Sequence, residues 1–291
     1  MSALKPPYTT LISVAELQAM HTTGAPLMVF DCSFDLMKPE LADGFFAIER
    51  IAGALPAHLD KDLSTHQPGQ GVNGGRHPLP QRERVALWLG SLGIHNGMQI
   101  VVYDRNKSQY CGRLWWMLKW CGHEAVAVLD GGMPAWVAGG GAVATGAALP
   151  VAPVAFRLRE PLLTLKHTAD VSANLGRPAQ TIVDARAPAR YKGETEPFDP
   201  VAGHIPGALN RPFNTNVNPQ GFMKSPAELS AEFKDLLNGR DASSVVHHCG
   251  SGISAVPNVL AMEVAGLGRT ALYAGSWSEW CNTPGLPCAQ G

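Results

Sequence analysis

The sequence of 291 residues lacks any run of about eighteen apolar residues, and its first ten residues lack the apolar core of a secretory signal. An excess of charge of either sign is also missing, because 23 Lys and Arg residues face 24 Asp and Glu residues. A nearly neutral chain offers no basic surface for nucleic acid or for an anionic membrane. We therefore expect a soluble, cytoplasmic protein that binds neither.

Cysteine is sparse, and none of it falls in a CxxC pair of the kind found in metal or redox sites. Six cysteines in a chain of this length are also too few to predict a disulfide framework. The adjacent His247 and His248 would point to opposite faces of an extended strand, so they could not chelate one metal ion together. We expect reduced thiols, no metal and no organic cofactor.

Cys249 stands out because it lies between an apolar run and a helical pattern. The valines at 245–246 predict the end of a buried strand, and apolar residues recur at helical spacing over 256–264. Gly250 and Gly252 would let the turn curl around the thiol and direct backbone N–H groups at its sulfur. The first turn of the helix adds positive charge, so the pattern favours an accessible thiolate nucleophile; a buried structural cysteine is the alternative.

The two halves of the chain contain a degenerate repeat. LMVFDCS matches TIVDARA, and RIAGALP matches HIPGALN. IVVYDRN matches SVVHHCG, and LDGGMPAW matches LYAGSWSEW, in a pairing without gaps that sets Trp136 against Trp280. The same pairing sets Arg105 against Cys249, so only the second copy carries the thiol.

This repeat predicts two tandem domains, over 1–143 and 166–291, with a linker rich in Ala, Gly and Pro over 144–165. In each domain, short Val- and Ile-rich runs alternate with helical patterns, which favours an α/β fold with a mostly parallel sheet and helices on both faces. Ser13 and Glu16 form a capping-box signature for the first helix. Ligands of such sheets bind beyond the carboxyl ends of the strands, which is where the thiol lies.

Four motifs together resemble the tandem-domain sulfurtransferases of the rhodanese superfamily: CGSGISA from Cys249, AGSWSEW near the carboxyl end, GHIPGAL from Gly203, and WWMLKWCGHEAVAVLDGGMPAW in the first half. The resemblance spans nearly the whole chain and implies two rhodanese-like domains, the first lacking the catalytic cysteine. It also implies that Cys249 opens a six-residue catalytic loop and carries sulfur as a persulfide. The other loop residues expected to bind substrate are Gly250, Gly252, Ile253 and Ser254.

The loop also indicates the sulfur donor, since the 3-mercaptopyruvate branch of the family has a CGSG type of loop and the thiosulfate branch has cations after the cysteine. Gly250 and Ser251 are neutral. Thiosulfate is a compact dianion that loop cations would help to hold, whereas the carboxylate of mercaptopyruvate can be held elsewhere. We expect 3-mercaptopyruvate as the donor, with thiosulfate as the alternative.

The resemblance implies that arginines hold the carboxylate of the donor, and Arg190 matches the first of them. A second arginine is expected shortly before the GHIPG segment, but Phe198 or one of its neighbours occupies that place. Arg211, Arg105 or Lys107 would then have to supply the missing cation.

Further site residues come from the resemblance as well. Ser251, His77 and Asp62 are similar to a Ser, His and Asp set that is proposed to assist proton movement in the mercaptopyruvate branch. Arg186 is counted among the substrate-binding residues, although the family uses its pair with Asp184 mainly for architecture. From the residues alone, an exposed loop histidine and a solvated carboxylate are the alternative interpretations of His77 and Asp62.

The resemblance implies a small-molecule donor and a thiol or cyanide as acceptor, with a thioredoxin-like protein as a candidate reductant. A cysteine phosphatase is one rival hypothesis, but Ala255 stands where such an enzyme needs an arginine. An inert sulfur carrier or scaffold is the other rival, although both loop glycines accompany Cys249.

Overall fold

The computed structural model describes residues 7–291, which divide into two compact units. The first unit comprises the chain up to Leu63 and the range Arg82–Leu162. The second unit comprises Leu163–Gly291 and also the earlier segment Ser64–Gln81. The repeat in the sequence does not indicate that the segment Ser64–Gln81 belongs to the second unit. The domain boundaries predicted from the repeat stay predictions.

The first unit alternates strands with helices. Its strands are β1 (Leu11–Ile12), β2 (Leu27–Asp31), β3 (Arg50–Ile51), β4 (Leu55–Pro56), β5 (Gln99–Tyr103), β6 (Val126–Leu129) and β7 (Val143–Ala144). Its helices are α1 (Val14–Thr23), α2 (Ala42–Ile48), α3 (Arg82–Ser91), α4 (Cys111–Trp120) and α5 (Gly132–Ala138). Five strands form a parallel sheet in the order β1-β6-β5-β2-β4, and β3 pairs with β7 antiparallel.

Local sequence explains the start of this unit. The hydroxyl of Ser13 accepts the N–H of Glu16, and the carboxylate of Glu16 accepts the N–H of Ser13, so the predicted capping box of α1 is confirmed. The central strand β5 is buried along its whole length, and residues 100–103 form the continuous apolar run expected of a strand inside a parallel sheet.

The second unit repeats the same plan. Its strands are β8 (Leu165–Lys166), β9 (Thr181–Asp184), β10 (Leu209–Asn210), β11 (Val245–His248) and β12 (Ala271–Tyr273). Its helices are α6 (Thr168–Ala173), α7 (Pro188–Lys192), α8 (Pro226–Leu237), α9 (Val256–Val264) and α10 (Ser276–Trp280). All five strands run parallel in the order β10-β9-β11-β12-β8.

The two sheets have equivalent strand orders, with β11 in the place that β5 holds in the first unit. The predicted α/β fold, with a parallel sheet and surrounding helices in each domain, is confirmed. In the second unit, Trp277 and Trp280 of α10 lie in the core with Val246 of β11 and Tyr273 of β12. This packing fixes α10 beside the carboxyl edge of the sheet. Across residues 7–291, no helix combines the length and apolarity needed to cross a membrane.

Candidate active site

Cys249 follows β11 directly at the carboxyl edge of the sheet, and the loop after it leads into α9, as the sequence predicts. The two histidines before it are fully buried. Nε2 of His248 lies 3.6 Å from Oδ2 of Asp184, the last residue of β9. His247 contacts the sulfur of a methionine in α9. Both histidines therefore pack within the fold around the strand that presents the thiol.

Glycine is required at positions 250 and 252 of the loop for different physical reasons. Gly252 has a φ of +78°, and a Cβ there would lie 2.2 Å from the carbonyl oxygen of Ala274, so no other residue fits. Gly250 has no left-handed backbone. A Cβ at Gly250 would instead lie 2.9 Å from Nη2 of Arg76 and 3.2 Å from Nη1 of Arg190. Gly252 thus shapes the backbone, while Gly250 leaves room for two guanidinium groups.

The amino-terminal turn of α10 holds the loop in place. The N–H of Trp277 donates to the carbonyl of Cys249 at 3.0 Å, and the N–H of Ser278 donates to the carbonyl of Gly250 at 2.9 Å. The N–H of Cys249 donates to Oγ of Ser276 at 3.1 Å. Ser276 is buried and has a φ of +56°, which is unusual for a residue other than glycine. The AGSWSEW motif therefore acts as the support of the loop.

Cys249 is only 1% exposed, so the expectation of an accessible thiol is wrong for this conformation. The side chains of Arg76 and Arg190, which lie over the neighbouring Gly250, are 26% and 19% exposed. Two partly exposed arginines therefore lie at the residue that follows the buried thiol.

The structure brings Ser251 and His77 together, because Nδ1 of His77 lies 2.8 Å from Oγ of Ser251. Both side chains are buried. Asp62 belongs to the first unit, where its carboxylate accepts the N–H of His58 at 2.8 Å and burial raises its pKa. A shared role for all three residues stays a prediction.

Arg190 and Arg186 sit in one network of charges but are held differently. Nη2 of Arg190 pairs with Glu196 at 2.7 Å. Arg186 is fully buried, pairs with Asp184 at 2.6 Å, and donates to the carbonyl of Gly203 at 2.6 Å. Because its nitrogen atoms also reach Glu196, the guanidinium of Arg186 is surrounded by protein acceptors. This geometry favours an architectural role for Arg186 over substrate binding.

Of the three residues expected to supply a second cation, Arg211 belongs to the second unit, and Arg105 and Lys107 belong to the first. The guanidinium of Arg211 pairs with Glu232 at 2.8 Å and also donates to an asparagine, so it is committed to α8. Arg105 pairs with Asp31 at 3.0 Å within the first unit. Lys107 is exposed in the first unit. A role for any of the three in binding the donor stays a prediction.

Arg76 is the cation that sequence reasoning missed. It belongs to the segment Ser64–Gln81 of the second unit and pairs with Asp199. Its guanidinium lies 5.2 Å from the ring centre of Phe198, and that of Arg190 lies 5.1 Å from the centre of the same ring. The one sequence signal for Arg76 was its position next to His77 in GGRHPLP.

The loop of the first unit shows what this backbone arrangement can bind. There the carboxylate of Asp104 accepts four backbone N–H groups at 2.7–3.0 Å, those of Asn106, Ser108, Tyr110 and Cys111. The repeat sets Ser108 against Gly252, and the two share a left-handed backbone, with φ values of +65° and +78°. The first copy of the loop therefore gathers its N–H groups around an anion that the chain itself provides.

Comparisons with known proteins identify the family of the chain. The sequence profile of the Rhodanese-like domain matches residues 13–139 and 167–283. A Pseudomonas aeruginosa protein named probable 3-mercaptopyruvate sulfurtransferase is 40% identical over 278 residues, which cover 95% of this chain and 97% of that protein. A Mycobacterium tuberculosis protein named putative thiosulfate sulfurtransferase SseB is 34% identical and covers 97% of both chains. The crystal structure of SseA from Escherichia coli, described as a 3-mercaptopyruvate sulfotransferase, superposes with a TM-score of 0.76 at 27% identity, over 94% of this chain and 100% of that one.

Proposed function

This chain belongs to the rhodanese-like family of sulfurtransferases, and we propose that it moves a sulfur atom from 3-mercaptopyruvate to a thiol or cyanide through a persulfide on Cys249. One observation carries the proposal. A thiol heads a neutral loop at the carboxyl edge of a parallel sheet, with arginine nitrogen atoms over the next residue, Gly250. This combination offers a nucleophile and a place for an anionic donor side by side.

In the first half of the cycle, the thiolate of Cys249 attacks the sulfur of mercaptopyruvate. A sulfur–sulfur bond forms, the carbon–sulfur bond breaks, and its electron pair leaves with carbon as the enolate of pyruvate. Protonation of that enolate at carbon yields pyruvate, so the donor carbon is reduced while the transferred sulfur is oxidised to the sulfane level.

In the second half, a thiolate or cyanide attacks the outer sulfur of the persulfide. The acceptor becomes a persulfide or thiocyanate, and the sulfur–sulfur electron pair returns to Cys249 as a thiolate. A small thiol or a thioredoxin-like protein fits this role chemically, and we place the reaction in the cytoplasm on the basis of the sequence.

Backbone N–H groups of the loop would stabilise the charge on sulfur during both halves. Support comes from the first unit, where four equivalent N–H groups hold the carboxylate of Asp104. In the second unit the repeat sets His248 against Asp104, and His248 brings no carboxylate to the loop. On this proposal, N–H groups of the catalytic loop interact with the sulfur atoms of Cys249 and its persulfide.

Ser251 and His77 are proposed to handle the proton that the enolate needs. The 2.8 Å contact between them lets one proton be shared between a hydroxyl and an imidazole next to the reacting sulfur. Asp62 is kept as a third member of this set on the family resemblance alone.

The test is the mass of the intact protein after incubation with 3-mercaptopyruvate. We expect a gain of one sulfur atom that cyanide or dithiothreitol removes. Cys249→Ser should never acquire it, whereas Cys288→Ser, a matched change at an exposed thiol, should acquire it normally. A gain of sulfur by Cys249→Ser contradicts the proposal, and a larger kcat/KM for thiosulfate than for mercaptopyruvate would reassign the donor.

A further inference from the structure

We infer that Arg76 is the second cation of the donor site and that it binds the anionic group of the sulfur donor together with Arg190, over Gly250. The inference rests on the proposed function and adds a specificity-determining residue to it. It also answers how the chain functions with Phe198 where a second arginine was expected.

Two guanidinium nitrogen atoms converge on Gly250, the residue that follows Cys249. Nη2 of Arg76 and Nη1 of Arg190 lie 2.9 and 3.2 Å from the position of a Cβ on Gly250. Arg76 uses Nη1 for its ion pair with Asp199, and Arg190 uses Nε and Nη2 for Glu196. Within residues 7–291, neither of the two converging atoms donates a hydrogen bond. They form a pair of charged donors suited to the two oxygen atoms of a carboxylate.

The segment that carries Arg76 is seated on the helix that supports the catalytic loop. The N–H of Arg76 donates to Oγ of Ser278 at 3.1 Å. Gly75 has a φ of +85°, and a Cβ there would lie 2.5 Å from Oγ of Ser278 and 2.8 Å from the carbonyl oxygen of Gly275. Because α10 anchors both the catalytic loop and this segment, its hydrogen bonds fix the position of the Arg76 backbone relative to the loop.

Phe198 and Asp199 explain how two like charges can lie so close together. The ring of Phe198 lies under both guanidinium groups, at 5.2 and 5.1 Å, where cation–π attraction supports each of them. The buried carboxylate of Asp199 pairs with Arg76 and lies 3.8 Å from Nη2 of Arg190. The expected arginine is thus replaced by an aromatic platform, and the second charge enters from the segment Ser64–Gln81.

The experiment compares the rates at which iodoacetate and iodoacetamide alkylate Cys249, followed by peptide mass analysis. The neutral reagent reports the reactivity of the thiol, so the ratio of the two rates reports the positive charge beside it. We expect Arg76→Ala to lower this ratio roughly tenfold and to raise the KM for mercaptopyruvate by a similar factor, because a charge-assisted hydrogen bond is lost. Arg76→Lys should retain part of the ratio, and Arg240→Ala, at an exposed arginine bonded to the carbonyl of Leu237, should retain all of it.

A second variant separates direct contact from a structural role. Asp199→Asn removes the partner of Arg76 but keeps the guanidinium, so we expect the iodoacetate preference to persist or rise. If Arg76 acted only by holding Asp199, this variant would lose the preference as Arg76→Ala does, and the inference would be overturned. An unchanged ratio in Arg76→Ala also overturns it. Absence of mercaptopyruvate turnover by the wild type, with the ratio still lowered in Arg76→Ala, would instead overturn only the proposed donor.

Discussion

Nδ1 of His77 lies 2.8 Å from Oγ of Ser251, across 174 positions of sequence, and both side chains are buried. The contact joins the segment Ser64–Gln81 to the catalytic loop of the same unit. Ser251 follows Cys249 by two residues. The proposal gives this hydroxyl and imidazole the transfer of a proton to the leaving enolate.

If the hydroxyl and the imidazole act together, the effects on kcat of removing each of them should not be additive. We expect Ser251→Ala and His77→Asn each to lower kcat for mercaptopyruvate by roughly a hundredfold, and the double variant to lose little more than the worse single one. The measurement is a double-mutant cycle in kcat and kcat/KM, with circular dichroism to verify folding. Losses that multiply in the double variant would show that the two groups act separately.

The loop glycines should respond differently to alanine. Gly252→Ala places a Cβ 2.2 Å from the carbonyl oxygen of Ala274 in a left-handed backbone, so we expect it to destabilise the protein by roughly 1–3 kcal/mol or more and to abolish transfer. Gly250→Ala meets only the flexible ends of two arginines, so we expect nearly normal stability and a raised KM. Urea unfolding and steady-state kinetics distinguish the two outcomes, and equal stability losses would contradict this account of the loop.

Much of this site follows from local sequence. The strand, the turn and the helix around Cys249 were predictable because apolar periodicity changes at that residue and glycine marks the turn. Arg76 was not, because its position depends on a hydrogen bond to Ser278, 202 residues away. The burial of Cys249 likewise arises from tertiary contacts that no local pattern encodes.

Arg190 and Arg186 offer a matched pair of substitutions with different expected effects. Arg190→Ala should raise the KM for mercaptopyruvate and cost less stability than Arg186→Ala, because the buried Glu196 keeps Arg186 and two backbone N–H groups as partners. Arg186→Ala leaves the buried carboxylate of Asp184 without its main partner, so we expect a loss of about 3–5 kcal/mol in the free energy of unfolding. Kinetics and urea unfolding on both variants check the assignment, and an unchanged KM in Arg190→Ala would remove that residue from the donor site.

The fully buried His247 should make stability depend on pH. Burial is the main cause that lowers its pKa from 6.5 to about 3, followed by the positive charge of Arg211 and the neighbouring His248. The folded protein therefore keeps the imidazole neutral between those values while the unfolded chain binds a proton. The contribution of His247 to the free energy of unfolding is therefore fully present above pH 6.5. Below that pH it falls by about 1.4 kcal/mol for each pH unit, and it levels off near pH 3.

His247→Leu removes the titrating imidazole. As the pH falls from 7 to 5, the free energy of unfolding of this variant should therefore decrease by about 2 kcal/mol less than that of the wild type. Urea unfolding at the two pH values measures the difference, in which the contributions of the other titrating groups cancel. His95→Gln, a change at an exposed histidine, should follow the wild-type slope. An identical slope in His247→Leu would mean that the imidazole is protonated inside the fold, and the account of β11 as a strand of neutral, packed histidines would then be wrong.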